Sequence, residues 1–224
     1  MRESDAIKRL RMSEMNELLK IDFERRDEAW EKAFLLALPD APVRVLSPEP
    51  REGPDHWPYL LVSVGSPDAT ESLRDVIGWL SARGVGLVIN PENEIPDYVL
   101  TYGMVWNFRE RGEFLTPQAA NPVGQFEVKP GQEMLTGVPS TAYLPQYARS
   151  VIKQFLADQG VFTPKILMVS FDKTNFDLAL SIESLKSPPA HEHANIAEAL
   201  SWFLPAHYSL ALVSEKTIPG FVAL

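Results

Sequence analysis

Residues 59–90 read YLLVSVGSPDATESLRDVIGWLSARGVGLVIN, and the order of signals within this stretch decides the fold. YLLVSV is a continuous apolar run of strand length, which marks a strand buried on both faces. In the segment that follows, Leu73, Val76, Ile77 and Leu80 recur at i, i+3, i+4 and i+7, one face of an amphipathic helix. Asp68, with Glu71 three residues on, fits a capping box at its start. Gly84 stands where a left-handed residue closes a helix, because glycine enters that conformation without a Cβ penalty. VGLVI is then a second buried strand, and the whole is a βαβ unit. The Gly84-Val85-Gly86 spacing is not a dinucleotide fingerprint. There the glycines follow a strand and open a helix, so that phosphate meets the helix N-terminus; here they follow a helix and open a strand.

Before this unit, Leu10, Met15, Leu18, Leu19, Ile21 and Phe23, then Ala29, Trp30, Ala33, Phe34, Ala37 and Leu38, predict packed amphipathic helices over about 4–38. Pro39 and Pro42 end that pattern, VRVL at 43–46 reads as a short strand, and SPEPREGPDHWP as a surface loop. After the unit, Asn90-Pro91 stops the strand, and 96–106 reads as a short helix.

Prolines and glycines crowd 109–142, so the chain divides into an N-terminal domain (1–120), a linker (121–140) and a C-terminal domain (141–224), with GQFEV or QEML able to add a strand to either neighbour. In the last part, Leu144, Tyr147, Ala148, Val151, Ile152, Phe155 and Leu156 trace a helix closed by Gly160. KILMVSF and FDLALSIE follow as strands around the turn DKTN, the second alternating between a buried and a wettable face. A helix carrying Ile196, Ala199, Leu200, Phe203 and Leu204 and a strand YSLALV complete an αββαβ order, the pattern of a ferredoxin-like sandwich. The fold class is α/β (α+β) in two small domains, the first a mixed sheet with a βαβ unit and helices.

Composition narrows function. The chain of 224 residues has 45% hydrophobic and 23% charged residues, the composition of a globular protein. Its formal charge of -9 is uneven: 21 acidic against 14 basic residues in 1–120 leave -7, and 9 against 7 in 121–224 leave -2. An acidic surface repels phosphate backbones and anionic lipid, which argues against nucleic acid and membrane as partners. The basic residues Arg2, Lys8, Arg9 and Arg11 are interrupted by Glu3 and Asp5, as on a solvated helix face. Absence of cysteine removes thiol nucleophiles and cysteine-ligated metal. With no apolar leader or spanning stretch, the expected location is the cytoplasm.

The sequence resembles the enhanced serine sensitivity (SseB-like) bacterial proteins over roughly residues 14–214. Gly84, Gly86, Leu87, Asn90 and Pro91 carry the resemblance in the first half, and Phe203, Leu204 and Pro205 in the second. The family brings no catalytic residues to transfer. It implies a non-enzymatic adaptor or regulatory protein.

Chemistry-bearing constellations are few. His191 and His193 in HEHAN form the one histidine pair, a weak metal candidate without the His-x-x-x-His spacing of a helical zinc site. They anchor the alternative reading, a small hydrolase or metal-dependent enzyme with its site between the domains. No Gly-x-Ser-x-Gly elbow occurs, and no cofactor is expected. Tyr98, Tyr102 and Trp106 recur every four residues, so a helix at 96–106 would put all three on one face beside the acidic turn of Glu92, Glu94 and Asp97. With Trp106 largely buried and Tyr98 at the surface, that face would bind a basic protein partner, in a salt-sensitive way.

Overall fold

The computed structural model describes residues 13–66, 68–116 and 133–224. The chain is an α/β protein whose contacts divide it into two compact units, Met1–Phe114 and Leu115–Leu224. Each holds one mixed sheet.

In the first unit, helix α1 (residues 13–19) and helix α2 (Glu28–Ala37) precede the sheet. Asp27 starts α2 by accepting the Trp30 amide at 2.9 Å, the usual N-terminal cap. Strands β1 (Pro42–Val45), β2 (Arg51–Glu52), β3 (Pro58–Val64), β4 (Glu71–Ser72), β5 (Gly86–Ile89) and β6 (Tyr98–Leu100) form a sheet in the order β4-β1-β3-β5-β6, with β2 also paired to β3. The pairing of β3 with β5 is parallel, Tyr59 opposite Gly86 and Val62 opposite Ile89, and helix α3 (Leu73–Leu80) connects them. The βαβ unit of the opening stretch is therefore present.

Its details follow from packing. Leu73, Val76, Ile77 and Leu80 are all buried, and each such side chain contributes roughly 1.5–3 kcal/mol by leaving water. Gly84 has the expected left-handed backbone, φ +70°, but it does not cap the helix: Ser81 is the C-cap of α3, and Gly84 ends the turn that leads into β5. The start of α3 differs from expectation: Ser72 occupies the cap position, and no capping box forms at Asp68 and Glu71. The reason is tertiary, since Glu71 and Ser72 are drawn into the sheet as β4 against Pro42 and Val43. Gly86 is glycine because a Cβ there would lie 2.7 Å from the Leu100 carbonyl oxygen and 2.7 Å from the Tyr59 ring.

Residues 96–106 do not form one helix. Tyr98–Leu100 is a strand, antiparallel to β5, and helix α4 (Tyr102–Arg111) begins only after Thr101, whose side chain accepts the Met104 amide. Pro96 disfavours helical backbone at the residue before it, and pairing satisfies the backbone groups along the open edge of β5. Tyr102 through Phe108 are all buried, the pattern of a helix surrounded by protein.

The second unit contains β7 (Leu135–Gly137), α5 (Gln146–Asp158), β8 (Lys165–Ser170), β9 (Asp177–Ser181), α6 (His193–Ser201), β10 (Ser209–Val213) and β11 (Val222–Ala223). The sheet order is β10-β9-β8, and β7 and β11 share the far edge of β8, against Met168–Ser170 and Lys165–Ile166 respectively. Residues 135–137 therefore belong to the second sheet and not to a linker; the GQFEV segment lies outside the described residues.

The αββαβ element order holds, but the ferredoxin-like strand order does not. In that pattern each βαβ is split by another strand, whereas β10 pairs directly and in parallel with β9, and β7 pairs directly with β8. Nor does β9 have a wettable face. Leu178 and Leu180 are buried on one side, and Ala179 and Ser181 are equally buried on the other, where Leu167, Val169, Ala211, Val213 and Ile218 complete a second core layer. The two units share one plan: α2-β1-β3-α3-β5 and α5-β8-β9-α6-β10 each place an antiparallel pair beside a parallel one in the same strand order.

Candidate functional site

Asp97 and Tyr98 sit at the junction of β5, β6 and the helices α1 and α2. Asp97 is buried and forms an ion pair with Arg26, Oδ1 to Nη2 at 2.7 Å, both side chains being under a tenth exposed. Its Oδ2 accepts from the Asn90 and Asn93 side chains at 2.6 and 3.0 Å. Asn90 takes a left-handed conformation, φ +51°, and its Oδ1 accepts the Val64 amide at 2.6 Å. Arg26 also donates to the Ile21 carbonyl at 3.0 Å and lies over the Trp30 ring at 4.5 Å. Asn90 thus joins a buried knot between sheet and helices. Half-buried Tyr98 donates its hydroxyl to Glu31 at 2.5 Å; burial, then the Glu31 carboxylate, pushes its phenol well above the usual range.

The aromatic face expected from the spacing is not assembled. Tyr102 and Trp106 are wholly buried, and the Tyr102 hydroxyl donates to the Ser81 carbonyl. Burial raises the Tyr102 phenol as well. Tyr98 lies on a strand, away from their helical register, and Asp97 is consumed by Arg26. Of the six predicted residues only Glu92 and Glu94, on the β5–β6 turn, are exposed. Tyr102 and Trp106 share a helix and belong to the core, while Tyr98 belongs to the adjoining strand.

The histidines are also apart in role. Nε2 of His191 is 3.7 Å from Glu192, on an exposed side chain, while the His193 ring is hydrogen-bonded to the Pro188 carbonyl at 2.9 Å. Among the described residues no group of three or more His, Cys, Asp or Glu is placed to hold a metal ion. A polar cluster does stand at the C-terminal ends of β9 and β10. Lys165 pairs with Glu215 at 2.9 Å, the Ser181 hydroxyl donates to Glu215 at 2.6 Å, and Ser214 with the Glu215 amide donates to Glu183 at 2.5 and 2.9 Å. Ser214 chiefly holds Glu183 below its usual range. Ser181, then Lys165, does the same for Glu215. These carboxylates are satisfied within the cluster.

The surface feature of greatest promise lies elsewhere in the first unit. A groove of about 820 Å³ runs between α1 and α2, walled by Glu14, Glu17, Leu18 and Ile21 on one side and Ala33, Leu36, Ala37 and Asp40 on the other. A smaller depression, about 590 Å³, continues it past Lys20, Asp22, Arg25, Asp27 and Ala29. Leu36 is 81% exposed, and Ala29 and Ala33 are exposed too, against the expectation that both alanines face the core. The core side of α2 is Trp30, Phe34, Leu35 and, just beyond it, Leu38. The groove's rim carries five acidic residues (Glu14, Glu17, Asp22, Asp27 and Asp40) and two basic ones, Lys20 and Arg25. Lys20 is already paired with Glu17 at 2.6 Å. A signal for Leu36 was present in FLLAL at 34–38: a run that long is wider than one helical face, so one member must point outward.

No protein-family model, curated protein or solved structure matches the chain at a significant level. No helix among the described residues is long and apolar enough to cross a membrane.

Proposed function

We propose that the chain is a non-enzymatic adaptor or regulatory protein of the enhanced serine sensitivity type, binding a protein partner through an acidic surface of its N-terminal unit. The surface is the α1/α2 groove, in place of the face of Tyr98, Tyr102 and Trp106. The observation that supports it is Leu36, a large apolar side chain 81% exposed in a groove rimmed by Glu14, Glu17 and Asp40. Apolar contact surface inside a charged rim is the anatomy of a recognition patch. The acidic rim would steer a basic partner and make binding salt-sensitive.

The test compares immobilised wild-type chain with Leu36→Lys for proteins retained from a bacterial lysate. A side chain this exposed contributes little to stability, so the variant should melt with the wild type. Loss of a retained protein at unchanged melting temperature is the expected result. Identical retention by both forms rejects the groove as the binding surface.

A further inference from the structure

The groove's own chemistry narrows its occupant. Resting on the adaptor reading above, we infer that it receives a basic amphipathic helix of the partner protein. Ala29, Ala33, Leu36 and Ala37 fall at i, i+4, i+7 and i+8 of α2, one continuous face, and Asp40 lines the groove just beyond the helix. Leu18 and Ile21 form the opposite wall. The alanines leave room for a third helix to approach closely, and Leu36 stands as a knob for its apolar face. From Ala29 to Ala37 this face is about 12 Å long, a little over two turns of a partner helix.

Other occupants fit less well. An added β-strand needs a free sheet edge, and the groove is walled by helices. An anionic lipid surface would meet five acidic side chains against two basic ones. A second copy docking the same face by two-fold symmetry would set acidic rim against acidic rim. A helix with apolar residues along one side and lysine or arginine along its flanks meets both the apolar walls and the charged rim.

Three labelled peptides of about 15 residues, long enough for the groove, test this against the full-length chain by fluorescence anisotropy. One has Leu and Ala on one helical face and Lys on the other; the second has the same composition with its apolar residues scattered around the helix; the third has Glu for Lys. The first should bind at least about tenfold more tightly than either control, and Leu36→Lys and Glu17→Lys should each weaken it. Added salt should weaken it further. Equal binding of the scattered peptide, or indifference to Leu36→Lys, overturns the inference. So does Leu36-dependent self-association in sedimentation, or preference for anionic vesicles over the peptide. If the lysate partner depends on Leu36 but the basic peptide does not bind, the adaptor reading stands and the helix assignment falls; if neither depends on Leu36, both fall.

Discussion

Replacing Asp97 with alanine should be among the most damaging single changes in the first unit. The substitution removes the partner of Arg26, whose side chain is 9% exposed, and leaves the Asn90 and Asn93 amides without their shared acceptor. Arg26 retains carbonyl contacts and the Trp30 ring, but these do not neutralise its charge. Removing one partner of a buried pair costs about 3–5 kcal/mol, a large share of the roughly 5–15 kcal/mol of a whole domain. The assay is urea unfolding followed by tryptophan fluorescence, which reports this unit because Trp30, Trp57, Trp79 and Trp106 lie in it and only Trp202 in the other. The transition of this unit should move to much lower denaturant, and Arg26→Met combined with Asp97→Ala should recover part of the loss, since the stranded charge is then gone. A loss below about 1 kcal/mol for Asp97→Ala, where an ordinary hydrogen bond would fall, refutes the account of Asp97 as a structural ion-pair partner and returns it to the surface.

Three further outcomes are expected. Gly86→Ala should destabilise by about 1–3 kcal/mol through overpacking, measured by the same unfolding, because its Cβ would meet the Leu100 carbonyl oxygen, which cannot move aside without disturbing the β5–β6 pairing. Tyr98→Phe should cost about 1 kcal/mol for the lost Glu31 hydrogen bond, whereas Tyr98→Ala should cost more, because Tyr98 packs against the Phe34 and Trp30 rings. In the second unit the pKa values of Glu183 and Glu215 are lowered by folding, so their stabilisation is present above the ordinary value of about 4.3 and disappears as pH falls through their folded values. Far-ultraviolet circular dichroism against pH should therefore show acid destabilisation reduced in Glu183→Gln; an unchanged acid midpoint would remove Glu183 from that role.

The sequence by itself determined what depends on neighbours along the chain. Strand β3, the register of α3, the left-handed Gly84 and the beginning of β5 were all legible in 59–90, because apolar period, backbone freedom and element length are local properties. So was the α/β class with its two units, and so was the structural character of Gly84-Val85-Gly86. What the tertiary structure decided was which backbone groups found partners and which apolar side chains found cover. Glu71 and Ser72 could have begun a helix, but β1 offered them a strand to pair with. Tyr98 fits helical spacing with Tyr102 and Trp106, but the open edge of β5 drew it into the sheet. That β10 lies directly beside β9, and not across another strand as in a ferredoxin-like sheet, is a choice of neighbour that no local pattern encodes. Asp97 and Glu92 look alike in sequence, and only the arrival of Arg26, 71 positions away, separates a buried ion-pair partner from a solvated carboxylate. Leu36 was written in FLLAL as one apolar residue too many for a single face, yet only the placement of α1 beside α2 turned that surplus into the wall of a groove.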